Sequence, residues 1–118
     1  MERGEVWWAL LDEPRGTEPG YRRLVVVVSS SEFNRSKIQT VIVAIITSNL
    51  RLAEAPGNFK LLKKDAGLSK ESVVNVSQLL TLDKSFLTEP LGKLSRKKII
   101  VLNEGLKLVL SIAASHGE

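Results

Sequence analysis

Two runs of sequence decide the fold: RRLVVVVS at residues 22–29 and TVIVAIIT at residues 40–47. Both are unbroken, apolar and rich in β-branched residues, which is typical of strands that are buried on both faces. Between them, SEFNR at residues 31–35 is expected to be a polar connection, or a single helical turn capped by Ser31. The two runs therefore predict two buried strands joined by a short polar segment.

Shorter patterns on either side of these runs predict more strands. They are expected over residues 6–11, 58–62 and 72–81, with a further short strand within residues 86–94. Residues 12–20 contain two prolines and two glycines, which predicts a surface loop. In residues 72–81 the apolar and polar residues roughly alternate, as in a half-buried strand.

The C-terminal segment has a different period. Ser95 is a suitable N-cap, and apolar residues then recur at helical spacing, namely Ile99, Leu102, Leu106, Val109, Leu110 and Ala113. Gly105 within this pattern costs a helix up to about 1 kcal/mol relative to alanine, so tertiary packing must hold it. The sequence predicts one domain over residues 1–118, mainly β (α+β): a small β-barrel or tightly curled sheet with a C-terminal helix.

Composition excludes several kinds of site. The chain has no cysteine and one histidine, His116, so disulfides, thiolate zinc sites, a cysteine nucleophile and a Ser-His-Asp triad are excluded. No metal and no cofactor are expected. The formal net charge of +4, from 17 basic and 13 acidic residues, permits a polyanionic partner without requiring one.

The N-terminal residues and the apolar runs predict where the protein resides. The charged start MERGE at residues 1–5 is unlike a secretory signal, and the longest apolar runs are far shorter than the ~20 residues of a membrane span. We expect a soluble, cytoplasmic protein without a membrane segment. Six of the seven arginines lie in the first 51 residues, which places an expected phosphate-binding site in that half.

Three residues could form a reactive site. Arg23 begins the second predicted strand, Thr47 ends the third, and Glu18 lies in the loop before Arg23. If these strands are antiparallel neighbours, Arg23 and Thr47 meet at one rim of the sheet, with Glu18 above them. A guanidinium and a hydroxyl at one point can bind a phosphate oxygen. Arginines also flank strands for solubility and threonines often end strands, so the pattern alone leaves both interpretations open.

Six segments, in order, resemble the MazF/PemK family of endoribonuclease toxins. They are RGEVWW (3–8), GTEPGYRR (16–23), FNR (33–35), TVIVAIIT (40–47), GLSKESVV (67–74) and QLLTLDK (78–84). The similarity runs from Arg3 to about Leu110. The resemblance implies an SH3-like barrel of the CcdB/PemK type, a homodimer, metal-independent cleavage of single-stranded RNA, and a small MazE-like antitoxin partner. It also implies a toxin–antitoxin complex that can bind operator DNA.

The resemblance assigns the family's active residues to positions of this chain. Its active arginine falls on Arg23, its active threonine or serine on Thr47, and its loop glutamate on Glu18. RNA contacts are expected from a polar and aromatic set: Arg22, Tyr21, Asn34, Arg35, Ser48, Asn49, Arg51 and Gln78. This chain departs from the family pattern at four positions, Pro19, Leu24, Ile45 and Leu80, which leaves the pair of active residues intact.

The implied chemistry needs neither histidine nor metal. The RNA 2′-hydroxyl is the nucleophile, and the protein must hold it in line and neutralise charge on the phosphate. Arg23 can supply charge and Thr47 a hydrogen bond. Glu18 is a natural base by its ordinary pKa, whereas a charged arginine serves better as donor or acid, and the sequence leaves the assignment of base and acid open. The expected product carries a 2′,3′-cyclic phosphate.

The sequence leaves open the environments of the two tryptophans and the choice between three functions. Trp7 and Trp8 are adjacent and face opposite sides of a strand, so one is expected in the core and the other against a base or a second subunit. Two other functions also fit such a barrel. One is a CcdB-like toxin that inhibits gyrase without cutting RNA, and the other is a non-catalytic nucleic-acid-binding module.

Overall fold

A computed structural model describes residues 1–12 and 21–112, and within them the chain forms one antiparallel sheet and two α-helices. The six strands, in the spatial order β4-β5-β3-β2-β1-β6, are β1 (Glu5–Asp12), β2 (Tyr21–Val27), β3 (Thr40–Thr47), β4 (Phe59–Leu61), β5 (Ser72–Asp83) and β6 (Leu87–Lys93). The helices are α1 (Ser31–Arg35) and α2 (Arg96–Leu110), and 3-10 turns span Leu50–Glu54, Lys63–Asp65 and Lys84–Phe86.

The sheet curls into a half-barrel, and α2 covers its inner face. A core cluster between them joins strand residues such as Val26 and Ile46 to Leu102 and Leu106 of the helix. A second cluster on the other face includes Val25, Val43 and other residues that alternate with the first set. Because β2 and β3 contribute to both clusters, they are buried on both sides, as their unbroken apolar sequences predict. The predicted mainly β fold with a C-terminal helix is confirmed.

Two local predictions are wrong. Ser30, not Ser31, caps α1: its hydroxyl accepts the Phe33 N–H at 3.1 Å. The Ser31 hydroxyl instead accepts the Arg3 N–H at 2.9 Å and ties the N-terminus to α1. The half-buried alternation expected of β5 is also absent over residues 72–76, all of which are buried. That part of β5 pairs with β3 and β4 along its two edges, and β5 also contacts α2 and the 3-10 turn Leu50–Glu54, which lie outside the sheet and cover it.

Strand β5 contains an irregular bulge at residues 76–78. Its pairing with β3 jumps from Ala44–Leu79 to Ile45–Asn75, which leaves three residues of β5 without partners on β3. Hydrogen bonds from side chains hold the bulge, because Asn58 Oδ1 accepts the Val76 N–H at 2.9 Å and Asn75 Nδ2 donates to Gln78 Oε1 at 2.9 Å. The bulge bends the sheet around α2.

Helix α2 begins where the sequence predicts, since the Ser95 hydroxyl accepts the Lys98 N–H at 3.2 Å. Packing explains the glycine at position 105, because a Cβ there would lie 2.3 Å from the Gly57 carbonyl oxygen. The helix therefore rests on the backbone of the loop before β4, and only glycine permits that approach. In the described part of the chain, no helix is both long and apolar enough to cross a membrane.

Candidate active-site cleft

The register of β2 and β3 brings Arg23 and Thr47 to one rim of the sheet. The two strands are antiparallel, and their ladder ends with the pair Leu24–Ile46. One step further along, Arg23 lies beside Thr47. The guanidinium confirms this placement, because Arg23 Nη2 donates to the Ile46 carbonyl oxygen at 3.4 Å.

This rim forms one wall of a cleft of about 320 Å³. The first wall consists of strand ends, contributed by Trp8, Arg23, Leu24, Ile46, Thr47 and Ser48. The second wall is the start of β5 and the segment before it, contributed by Leu68, Ser69, Lys70 and Ser72. The cleft thus combines two basic side chains with several hydroxyls, an arrangement suited to an anionic ligand.

Tyr21 fixes the orientation of Arg23. Arg23 Nη1 donates to the Tyr21 hydroxyl, and the guanidinium carbon lies 5.7 Å from the centroid of the Tyr21 ring. A guanidinium has five N–H donors, so the contacts with Tyr21 and Ile46 leave donors for a ligand. Tyr21 is exposed, and its contact orders a side chain that would otherwise sample many rotamers.

Backbone contacts after β3 orient the Thr47 hydroxyl. Thr47 Oγ1 accepts the Asn49 N–H at 3.2 Å, so its own proton is available to donate to a ligand. Asn49 in turn caps the 3-10 turn Leu50–Glu54, with its Oδ1 accepting the Arg51 N–H at 3.2 Å. Three residues of the expected RNA-contact set follow Thr47 in the chain. Ser48 lines the cleft, and Asn49 and Arg51 are exposed just beyond it.

The two tryptophans have separate environments. Trp8 lines the cleft, and the Arg22 guanidinium lies 4.7 Å above the centroid of its ring while pairing with Glu89 at 3.6 Å. Trp7 packs against the second core cluster, and its Nε1 donates to Glu5 at 2.9 Å. Trp8 is therefore the tryptophan that could stack on a base, with Arg22 beside it.

Three residues of the expected RNA-contact set lie away from the cleft. Asn34 and Arg35 belong to α1, at the opposite end of the β2–β3 hairpin from Arg23 and Thr47. Asn34 is 3% exposed and its amide donates to the Ser29 carbonyl at 3.0 Å, so its side chain is structural. Arg35 pairs with Glu2 at 3.4 Å, and Gln78 lies in the β5 bulge.

The stretch QLLTLDK at residues 78–84 also has a structural explanation. Lys84 Nζ donates to the Asn34 carbonyl at 2.7 Å and so ties the end of β5 to α1. Asp83 caps the turn Lys84–Phe86, and hydrogen bonds from Ser85 lower the pKa of the Asp83 carboxyl. Two polar residues of this stretch, Asp83 and Lys84, therefore make structural contacts in this chain.

One predicted site residue lies outside the described part of the chain, and one wall of the cleft was not predicted from the sequence. Glu18 and Pro19 lie outside the described residues, so the role of Glu18 stays a prediction. Sequence reasoning missed the second wall of the cleft, although Gly67 before a short polar run is a turn signal. Within residues 1–12 and 21–112, no group of three metal-ligand side chains is assembled.

Comparisons with known proteins identify the relatives of this chain. Residues 2–110 match the family model described as PemK-like, MazF-like toxin of type II toxin-antitoxin system. The chain is 40% identical over 112 residues to Endoribonuclease MazF2 of Mycobacterium bovis, with 95% of this chain and 98% of that protein covered. It is 37% identical over 112 residues to Endoribonuclease MazF of Staphylococcus saprophyticus, covering 95% and 92%.

Solved structures show the same fold. An endoribonuclease in complex with its cognate antitoxin from Mycobacterial species superposes with a TM-score of 0.79 at 22% identity, covering 97% of this chain and 98% of that one. A MazE-MazF structure from Deinococcus radiodurans gives a TM-score of 0.75 at 20% identity, covering 96% and 98%. The curled sheet and its C-terminal helix are therefore shared with these toxins.

Proposed function

The chain belongs to the family of PemK-like and MazF-like toxins of type II toxin–antitoxin systems, and on that premise we propose that it is an endoribonuclease whose cleft cuts single-stranded RNA. The observation that carries the proposal is the meeting of Arg23 and Thr47 in one cleft. Relatives that match nearly the whole chain bear the name endoribonuclease, which supports the same activity.

The reaction follows from what the two side chains can donate. The RNA 2′-oxygen attacks the adjacent phosphorus, the bond from phosphorus to the 5′-oxygen breaks, and a 2′,3′-cyclic phosphate forms. Arg23 donates hydrogen bonds to the non-bridging oxygens and neutralises the charge that develops there. Thr47 donates a hydrogen bond from its hydroxyl to the same group, because its oxygen already accepts the Asn49 N–H.

Two protons must also move in this reaction. One leaves the 2′-hydroxyl and the other reaches the 5′-oxygen of the leaving strand. We assign the first to Glu18, whose carboxylate is a suitable base and which precedes β2 in the sequence, and the second to solvent water, which takes back the proton held by Glu18. The guanidinium of Arg23 stays charged throughout and serves as a donor.

A single-stranded substrate suits this cleft better than a duplex. The attacking 2′-oxygen must rotate into line with the departing oxygen, which A-form stacking resists. Trp8 at the edge of the cleft offers a stacking surface for a base that is turned out of the stack, worth about 1–3 kcal/mol per base. Arg22 and Tyr21 extend the basic and aromatic surface next to it.

The CcdB-like alternative is not favoured. A toxin that inhibits a protein target needs no phosphate-binding pair, whereas this cleft joins Arg23 to the Thr47 hydroxyl. The full-length relatives are also named endoribonucleases. A non-catalytic nucleic-acid-binding barrel would account for the basic charge. It would not account for the Thr47 hydroxyl, which can donate a hydrogen bond to a ligand because its oxygen already accepts the Asn49 N–H.

We also infer a MazE-like antitoxin and a homodimer. Solved relatives of the same fold were determined with an antitoxin bound, and an acidic antitoxin segment would suit a cleft lined by Arg23 and Lys70. Helix α2 exposes several apolar side chains, which include Ile100 (56% exposed) and Leu108 (60% exposed), and a second copy would bury such a surface. Binding of operator DNA would belong to the toxin–antitoxin complex.

The test of the proposed function is cleavage of a mixed single-stranded RNA in excess EDTA. We expect cutting to continue, because Arg23 and Thr47 supply the charge and hydrogen bond that a metal would otherwise provide. Mass spectrometry of the fragments is expected to find 2′,3′-cyclic phosphate ends. Activity that is lost in EDTA and restored by magnesium would contradict the mechanism, and a folded preparation that leaves all RNA intact would contradict the function.

A further inference from the structure

The second wall of the cleft has no role in the cleavage reaction that is proposed for Arg23, Thr47 and Glu18. It is formed by the segment from Leu68 to Ser72, and it contains one charged side chain that lines the cleft, Lys70. Lys70 thus lines the same cleft as the Arg23–Thr47 pair and belongs to a different part of the fold.

The segment is held in a defined conformation. It starts with Gly67 in the left-handed region at φ +66°, and the Leu68 N–H donates to the Lys63 carbonyl at 2.8 Å. Leu68 is 6% exposed and belongs to the main core cluster. Ser72 is buried, and its hydroxyl donates to the Lys70 carbonyl at 3.1 Å. The Lys70 backbone is thus anchored on both sides.

The neighbouring charges leave Lys70 available to a ligand. Glu71, the adjacent acid, pairs with Lys60 of β4 at 3.6 Å. None of the described residues that line the cleft is acidic, and Lys70 makes no ion pair with any described residue. Two cations from separate elements, Arg23 and Lys70, therefore line one cleft that no described carboxylate enters. Such a pairing suits a ligand with more than one negative charge.

We propose that Lys70 is a second phosphate-binding residue of this cleft, which holds the RNA phosphate next to the one that is cut. The inference rests on the proposed function. Lysine is a flexible point charge without the planar fork of arginine, so it suits a backbone phosphate whose geometry does not change during the reaction. Such a contact is made equally in the ground state and the transition state, and it acts on KM rather than on kcat.

The test compares Lys70→Gln with the wild-type protein and with Lys37→Gln. Lys37 is an exposed lysine between α1 and β3, at the far end of the hairpin, so its variant loses the same charge outside the cleft. For Lys70→Gln we expect KM to rise about five- to tenfold with kcat within about twofold of wild type, whereas Lys37→Gln keeps both values. Lys70→Arg is expected to restore most of the loss in KM.

Binding at increasing salt gives a second readout. With an RNA whose cleaved nucleotide is 2′-deoxy, the slope of log K against log salt is expected to fall by about 0.7 in Lys70→Gln, the value for one phosphate contact on a single strand. If wild-type protein cuts RNA while Lys70→Gln keeps its KM and its salt slope, the inference about Lys70 is wrong and the proposed function stands. A loss confined to kcat would also overturn it. If wild-type protein cuts no RNA, the proposed function itself fails.

Discussion

Arg23→Ala is expected to lower the rate of RNA cleavage by about 10³-fold or more, because the phosphate loses its main source of positive charge in the transition state. Among the described residues of the cleft, the Arg23 guanidinium alone combines a permanent charge with an orientation set by two contacts, to Tyr21 and to the Ile46 carbonyl. The measurement is single-turnover cleavage of a labelled single-stranded RNA. Thr47→Ala is expected to lose about 10²-fold, and Thr47→Ser to keep part of the activity through its remaining hydroxyl.

The matched control is Arg96→Ala, which removes an exposed arginine at the start of α2, outside the cleft. It is expected to cleave at the wild-type rate. Arg23→Ala and Arg96→Ala should both unfold at the wild-type denaturant midpoint. An arginine that is partly or fully exposed contributes little to stability. An Arg23→Ala protein that is folded and still active would remove Arg23 from the mechanism, and one that is unfolded would make its role structural.

Gly105→Ala is expected to lower the free energy of unfolding by about 2 kcal/mol, the opposite of what helix propensity alone predicts. A methyl group at this position would lie 2.3 Å from the Gly57 carbonyl oxygen and 3.2 Å from its carbon. Both are backbone atoms, so α2 must move off the loop before β4. The gain in propensity, up to about 1 kcal/mol, does not offset the loss of packing.

Urea denaturation followed by circular dichroism measures this change. Glu104→Ala is the matched control, because Glu104 is the preceding residue of the same helix and is exposed, with only an ion pair to Lys107 at 3.6 Å. It is expected to stay within about 0.5 kcal/mol of wild type. A Gly105→Ala protein that is more stable than wild type would show that α2 does not pack on Gly57 as described.

Much of the fold could be predicted because its strands are unusually apolar. TVIVAIIT coincides with β3 to the residue, and Ser95 does cap α2. The β5 bulge could not be predicted, because it depends on the Asn58 side chain reaching Val76 from another part of the chain. The cap of α1 went to Ser30 rather than Ser31, since two adjacent serines are equivalent in sequence and only the packing of Arg3 distinguishes them.

The site could be predicted in part. Arg23 and Thr47 are expected at one rim because each lies at the end of a strand that its apolar sequence predicts, on the assumption that the two strands are antiparallel neighbours, which they are. Asn34 shows the limit: its polar side chain suggested RNA contact, yet it is buried and bonded to Ser29. The second wall with Lys70 was missed because no strand or helix pattern marks residues 68–71, so the sequence does not place them at the cleft.

The most direct measurement of the cleavage mechanism uses one RNA with a single altered atom. Once the cut site is mapped, the nucleotide on the 5′ side of the scissile phosphate is replaced by its 2′-deoxy form, and the reaction is run in EDTA. Cleavage at that bond is expected to disappear while binding persists, because the nucleophile has been removed and the phosphate contacts of Arg23 and Thr47 remain. Continued cleavage at the deoxy position would mean that water attacks the phosphate, and it would contradict the mechanism built on this cleft.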